Sequence, residues 1–110
     1  MKNFLLLLFV VFFITITNAE AAAYKGQRVF SKNCVSCHGK QKFIASKTKQ
    51  QWKSVFQNKG QELANLHLKS QKAKDSWNYF KSKKYKKKVR HLKDFLVEYA
   101  KDSGKVPACN

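Results

Sequence analysis

Residues 33–39, NCVSCHG, are the stretch that decides what this sequence specifies. Two cysteines, Cys34 and Cys37, stand two residues apart, and His38 follows the second one directly. Four explanations suit this cluster: attachment of a haem, a redox-active dithiol, half of a metal site, or a plain disulfide. Features elsewhere in the sequence decide which of the four explanations applies.

The start of the chain predicts export. Lys2 supplies a positive charge, and residues 4–14 form an unbroken apolar run. Small residues follow at Ala19, Ala21, Ala22 and Ala23. This order is typical of a secretory signal peptide, and the apolar run is short for a membrane span. We therefore predict a signal peptide over residues 1–19, with cleavage possible up to residue 23, and a periplasmic mature protein. An uncleaved membrane anchor is the alternative.

In an exported protein, C-x-x-C-H is the attachment motif of c-type haem. The thiols of Cys34 and Cys37 would add across the two vinyl groups as thioethers, and His38 would bind the iron as its proximal ligand. A redox dithiol would favour a βαβ context and a zinc site would need four ligands, neither of which the sequence offers. A plain disulfide would not require the histidine. We therefore predict one covalent haem c.

The mature sequence predicts helices only, since no alternating run of Val, Ile or Thr follows the signal peptide. The predicted helices cover residues 24–33, 48–58, 61–68, 77–80 and a long last stretch that ends before Gly104 and Pro107. Thr48 and Gln51 form a capping box at the second of them. In the last helix apolar residues recur at spacings of 4, 3, 4 and 3, namely Tyr85, Val89, Leu92, Leu96 and Tyr99, flanked by Phe95.

With these features the chain resembles small class I-like c-type cytochromes. The resemblance rests on GQRVF at 26–30, on NCVSCHG, and on HLKDFLVEYAKDSG at 91–104. It implies an all-α fold, a small bundle of about three to five helices around one covalent haem. The cytochrome domain would cover residues 24–104, and residues 105–110 would form a C-terminal tail. It also implies that Gly26, Phe30 and Tyr99 lie where the first and last helices cross.

Two features of that family are missing. Its members usually supply a methionine as the sixth iron ligand, but the only methionine here is Met1, which is removed with the signal peptide. They also commonly carry a proline soon after the haem motif, and none occurs between His38 and Pro107. The sixth ligand must therefore come from another residue, or the iron has an open position.

Helical geometry separates the two remaining histidines. At about 100° per residue, His67 lies in the middle of an apolar arc that includes Leu63, whereas His91 points among lysines. A buried polar group needs a partner, and this favours His67 as the distal ligand. His91, or a lysine such as Lys83, remains the alternative.

The charge of the chain predicts anionic partners. Lysine and arginine number 23 against 6 acidic residues, for a formal net charge of +17. Many cluster near the start of the last helix: Lys81, Lys83, Lys84, Lys86, Lys87, Lys88, Arg90 and Lys93. Such a density of one sign opposes compactness through self-repulsion. We interpret the run as a docking surface for an acidic redox partner or an anionic membrane surface, and expect no nucleic acid outside the cytoplasm.

The predicted function is that of a periplasmic monohaem electron carrier, cycling between Fe(II) and Fe(III) without catalytic side chains. A haem enzyme or a gas- or peroxide-binding sensor would instead require an open iron position. A non-redox basic binding protein would use the cysteines as a disulfide. Cys109 has no role in the family; it could join two chains by a disulfide.

Overall fold

The computed structural model describes the backbone of residues 18–107 and the side chains of residues 23–107. The helices are α1 (Asn18–Asn33), α2 (Val35–His38), α3 (Gln41–Ile44), α4 (Lys49–Val55), α5 (Gln61–Leu68), a 3₁₀-helix (Gln71–Ser76), α6 (Trp77–Lys81) and α7 (Lys83–Glu98). No strand occurs between residues 18 and 107, so the all-α prediction is confirmed there. Most of the predicted signal peptide, residues 1–17, and Cys109 lie outside the described residues.

The described segments number more than the predicted three to five helices, because two stretches of chain are broken into single turns. One stretch, α2 and α3, lies between α1 and α4; the other, the 3₁₀-helix and α6, lies between α5 and α7. The predicted helix over 61–68 is observed with the same bounds, while α1 begins at Asn18 rather than at Tyr24. The described part of the chain contains no helix long and apolar enough to cross a membrane.

The crossing of α1 and α7 forms the centre of the core. Gly26 of α1 lies directly against α7, where any added side chain would collide with the His91 carbonyl and with Phe95. Phe30 follows one turn later and packs on Phe95 with ring centroids 5.5 Å apart. The crossing predicted at Gly26 and Phe30 is thus present, but its aromatic partner on α7 is Phe95.

Tyr99 does not occupy the centre of that crossing. It stands at the C-terminal cap of α7, is half-buried, and contacts the ring of Phe95 from outside. Phe95, which is only 1% exposed, takes the central place. The narrow seam predicted from residue spacing misses Phe95 because α7 packs against α1 and α4 at once, which widens its buried face.

The start of α4 is fastened by side chains from two parts of the chain. The predicted capping box is observed: the Gln51 N–H donates to the Thr48 hydroxyl (3.2 Å), and the Thr48 N–H donates to the Gln51 side chain (2.9 Å). The Lys49 N–H also donates to the carboxylate of Asp102, 2.8 Å away. These contacts direct Trp52 into the core, where it is 1% exposed.

The chain reverses sharply between α4 and α5. Asn58, Lys59 and Gly60 have φ values of 55°, 55° and 86°, all in the left-handed region. This conformation ends α4 before the predicted residue 58. Gly60 lies so close to Val89 that an added Cβ would clash, and the Tyr85 hydroxyl donates to the Gly60 carbonyl. The turn therefore fastens the beginning of α5 to α7 and sets the position of the histidine that α5 carries.

Candidate cofactor site

A cavity of about 400 Å³ opens between the α1–α7 crossing and the short helices. Cys34, Cys37, His38 and His67 all line it. Its apolar lining includes Phe30, Phe43, Trp52, Leu63, Leu66, Phe80, Leu92 and Leu96. This volume lies within the range of small-molecule and cofactor sites, which are mostly apolar with a few placed polar groups.

The first wall of the cavity is the turn that carries the cysteines. The His38 N–H donates to the Cys34 carbonyl at 3.0 Å, so the motif forms one helical turn, and Gly39 ends it with φ of 75°. Cys34 is half-buried, while Cys37 and His38 are exposed. The His38 ring stacks on Phe43, with centroids 4.2 Å apart and planes 20° apart. The phenylalanine thus restricts the orientation of the imidazole.

Trp52 anchors this first wall to the core. Its indole N–H donates to the Ile44 carbonyl at the end of α3, over 3.0 Å in a buried position. The same indole meets Phe43 edge to face, with centroids 5.4 Å apart. Phe43 in turn stacks on His38, so the buried Trp52 restricts the position of Phe43 and, through it, of the imidazole.

The second wall is the face of α5 that carries His67. A carbonyl oxygen can only accept a hydrogen bond, so the Nδ1 of His67, 2.8 Å from the Leu63 carbonyl, is the nitrogen that donates. In the neutral imidazole the other ring nitrogen, Nε2, then carries the lone pair that could bind a metal. This is the usual arrangement of a metal-binding histidine, in which the bond at one nitrogen fixes the tautomer and raises the basicity of the other.

Two residues of α6 contact His67, one at its ring and one at its backbone carbonyl. The ring of Phe80 stacks on the imidazole, with centroids 4.1 Å apart and planes 23° apart. The indole N–H of Trp77 donates to the His67 carbonyl (2.8 Å) and to the Ser70 carbonyl (3.2 Å). These bonds tie α6 to the end of α5, where the His67 carbonyl also accepts from the Ser70 N–H and the Ser70 carbonyl from the Ala73 N–H.

The two histidines face one another across the cavity. Their ring centroids are 6.0 Å apart and the ring planes are nearly perpendicular, at 85°. Two imidazoles bound in line to one metal ion, each through a bond of about 2.0 Å, have centroids about 6 Å apart. The spacing of His38 and His67 is therefore compatible with both imidazoles binding one metal ion, and Cys34 and Cys37, which line the same cavity, are the residues that would hold a porphyrin there covalently.

The electrostatics of the site favour neutral side chains. Desolvation of the ring, and then the neighbouring His67, lower the pKa of His38. Burial, and then Cys37, raise the pKa of Cys34 to about 12. Dithiol redox enzymes need a cysteine with a lowered pKa, so the environment of Cys34 disfavours that chemistry. A neutral His38 is in the state that binds a metal.

His91 lies away from the cavity. It is half-buried on α7, where its carbonyl faces Gly26 of α1, and it is not among the residues that line the cavity. Its Nδ1 is buried without a hydrogen-bond partner among the described residues. The other alternative, Lys83, is an exposed residue of the first turn of α7 and does not line the cavity either. The structure therefore brings only His67 towards His38.

The eight predicted docking residues have different neighbours in the structure. Lys86, Lys87, Arg90 and Lys93 line a groove between α7 and the turn after α4. Lys84 instead approaches Lys32 of α1, which lowers the pKa of Lys84 through a hydrogen bond and then through like charge. Lys81 lies over the ring of Trp77, 5.9 Å from its centroid. Lys83 and Lys88 are exposed elsewhere on the helix.

Sequence reasoning missed the residues that support the two histidines. Phe43 follows His38 by five residues and lies on the next short helix, α3, where its aromatic character offered a weak signal. Trp77 and Phe80 follow His67 by 10 and 13 residues, and nothing in that spacing relates them to it. Among residues 23–107, whose side chains are described, no group of three or more His, Cys, Asp or Glu side chains could hold a metal ion. A haem iron needs only one or two, because the porphyrin supplies four nitrogens.

Comparison of the chain with protein-family models, with curated proteins and with solved structures found no match. What the site can do must therefore be argued from its own residues.

Proposed function

We propose that this protein is a periplasmic monohaem c-type cytochrome that carries electrons. Cys34 and Cys37 would hold the haem through thioethers, and His38 and His67 would bind its iron. When bound, the haem supplies one-electron chemistry between Fe(II) and Fe(III). In this proposal the helices form a small bundle around one haem, in a domain spanning residues 24–104.

The pair of facing imidazoles is the observation that carries the proposal. His38 and His67 come from separate helices, with ring centroids 6.0 Å apart, in one cavity that both cysteines also line. Both imidazoles line the same mostly apolar cavity, and the Nδ1 of His67 is engaged by the Leu63 carbonyl, which leaves Nε2 as the nitrogen that could bind a metal. The spacing supports a six-coordinate iron, which suits a carrier, since an enzyme or a sensor needs an open position.

The chain's own residues would then bind, orient and shield the cofactor. Phe43 and Phe80 stack on the two imidazoles and restrict their rotation. The bond from His67 Nδ1 to the Leu63 carbonyl makes Nε2 a stronger ligand. Two imidazoles favour ferric iron more than an imidazole and a thioether do. We therefore expect a reduction potential below that of a His/Met cytochrome.

The test is an absorption spectrum of the protein made with a cytochrome c maturation system. We expect colour that remains after acid–acetone extraction, low-spin spectra in both oxidation states, and no reaction with carbon monoxide. A covalent but high-spin haem that binds carbon monoxide would instead indicate the enzyme or sensor. A protein that carries no haem would leave the non-redox basic binding protein.

A further inference from the structure

A second concave surface lies between α7 and the turn that follows α4, with a volume of about 680 Å³. Six cationic side chains line it: Lys53, Lys59, Lys86, Lys87, Arg90 and Lys93. No aspartate or glutamate is among the lining residues. We call this surface the basic groove. Two of its cations, Lys53 and Lys59, are distant in sequence from the basic run of α7 and were not predicted to belong with it.

The two walls of the basic groove are held in a fixed relation. Lys53 and Lys59 stand on one wall, and the cations of α7 stand on the other. Between them lie Phe56 and Val89, which are 3% and 6% exposed and belong to the hydrophobic core. The hydroxyl of Tyr85 also fastens Gly60 to α7. The groove is thus formed in the free protein, so that a ligand does not have to order it.

The backbone of Lys59, one of the groove residues, has an unfavourable conformation. Its φ of 55° is in the left-handed region, which a residue with a Cβ adopts with difficulty. A glycine at this position would be relaxed. A strained residue at a surface is a reason to look for function, and here the strained residue contributes a charge to the groove.

No ion pair neutralises the groove cations among residues 23–107, whose side chains are described. The one ion pair there joins Lys105 to Glu98, and neither of them lines the groove. The cations on the two walls therefore repel one another. An extended anion lying between the walls would replace this repulsion with attraction to both sides.

We propose that the basic groove binds an acidic segment of a partner protein, through the carboxylates of its Asp and Glu side chains. This names a docking partner for the proposed electron carrier and rests on that function for its purpose. The binding itself needs only the groove, so it can be measured whether or not an electron is transferred.

The shape and composition of the groove favour a protein segment over a lipid surface. A flat bilayer reaches the rim of a concave site, whereas a chain segment enters it and meets both walls. Helices that bind membranes also insert large apolar side chains. The exposed large apolar residues of the described chain are Tyr24, Leu66 and Val106, and none of them lines the groove.

The groove is separate from the cavity between the histidines. Trp52 of α4 faces the cavity, while Phe56, one turn later, faces the groove. On α7, Leu92 and Leu96 line the cavity, and Arg90 and Lys93 line the groove. A segment bound in the groove would therefore leave the cavity uncovered, where the cofactor would exchange electrons with the body of the partner.

The experiment measures binding of a synthetic peptide of alternating Glu and Ala to the mature protein by calorimetry at low ionic strength. A peptide of alternating Gln and Ala is the neutral control. Lys53→Glu combined with Lys59→Glu reverses one wall of the groove, and Lys25→Glu combined with Lys42→Glu changes the net charge equally at exposed positions outside it. We expect binding at least about tenfold weaker for the groove variant and less than about threefold weaker for the control.

Lys59→Gly provides a variant that preserves the fold, because glycine favours the left-handed conformation that the turn requires. It removes one groove charge and should weaken peptide binding by about threefold, with no loss of thermal stability. Amide NMR shifts on addition of the peptide should concentrate at residues 53–60 and 86–93.

Three results would overturn the proposal. An equal loss of affinity in the groove variant and its control would mean that net charge alone attracts the peptide. Failure of the unmodified protein to bind the peptide would remove the site. Binding to vesicles of phosphatidylglycerol and phosphatidylcholine, with no binding of the peptide, would assign the groove to a membrane surface instead.

Discussion

The two walls of the cavity are built from the same parts, but the parts come from different distances along the chain. Each wall presents a histidine that stacks on a phenylalanine: His38 on Phe43 at 4.2 Å, and His67 on Phe80 at 4.1 Å. On the first wall the two residues lie five positions apart, and on the second they lie 13 apart. On the first wall the supporting ring therefore comes from the next turn of the chain. On the second wall it comes from a segment that leaves the histidine's helix and returns to it.

Each wall also contains a tryptophan whose indole donates a hydrogen bond to a backbone carbonyl, but the two tryptophans differ in burial. The indole of Trp52 donates to the Ile44 carbonyl in the core, where the tryptophan is 1% exposed. The indole of Trp77 donates to the His67 carbonyl from a half-buried position near the surface. Both walls reach the core, the first through Trp52 and the second through Phe80, which is 7% exposed and packs on Tyr85 of α7. The tryptophan of the second wall lies nearer to water, so loss of its hydrogen bond should cost less free energy.

The largest expected effect comes from the cysteines of the first wall. Cys34→Ser combined with Cys37→Ser removes both thioether bonds. We expect all haem to be extracted by acid–acetone, whereas Ser36→Ala, between the two cysteines, should keep it fully covalent. Extraction followed by haem absorbance measures the difference. Haem that is retained in the double variant would contradict the assignment of this wall.

The second wall is tested through its histidine. His67→Ala should convert a low-spin spectrum to a high-spin one and allow carbon monoxide to bind, because it removes the proposed sixth ligand. His91→Ala is the control and should change neither property, since His91 does not line the cavity. A spin change in the His91 variant, with none in the His67 variant, would exchange the two assignments.

Substitution of each tryptophan tests how much its wall contributes to the free energy of unfolding. Trp52→Phe leaves the Ile44 carbonyl buried without a donor and opens a cavity in the core, which should lower the free energy of unfolding by about 3 kcal/mol. Trp77→Phe removes a bond nearer to water and should cost about 1 kcal/mol. Urea unfolding of both variants provides the comparison. Equal costs would mean that the second wall is as deeply anchored as the first.

The smallest expected effect concerns Tyr79, which contacts Phe80 behind the second wall. Its hydroxyl is buried without a partner among the described residues, so Tyr79→Phe should change stability at neutral pH by less than about 1 kcal/mol. Burial, and then Cys34, raise the pKa of Tyr79 to about 12. Above its ordinary pKa of about 10 the unfolded state releases the proton first, so this residue lowers stability as the pH rises from about 10 to 12.

Thermal unfolding between these pH values measures the effect. The loss of stability on the alkaline side should be smaller in Tyr79→Phe than in the unmodified protein. Tyr24→Phe, at an exposed position, is the matched control and should keep the full alkaline loss. An alkaline loss of the same size in all three proteins would show that the Tyr79 hydroxyl is not desolvated.

Local patterns predicted helical segments of both walls but not the aromatic rings that support the two histidines. The capping box of Thr48 and Gln51 was predicted correctly because its two partners are three residues apart. The helix that carries His67 was also predicted, and His67 lies on the side of it that lines the cavity. Phe80 and Trp77 could not be related to His67, because a connecting 3₁₀-helix determines where they return. The place of Phe95 was missed, since it depends on two helices packing against α7 together.

By itself the sequence determined the all-helical class, the single turn that holds Cys34, Cys37 and His38, and the basic character of α7. These properties follow from composition and from neighbours within one or two turns. Only the tertiary structure decided that His67 stands opposite His38, that His91 lies outside the cavity, and that Lys53 and Lys59 join α7 in one groove. The first and the third depend on where the chain reverses at residues 58–60, and a reversal brings together residues whose spacing in sequence carries no information about their contact.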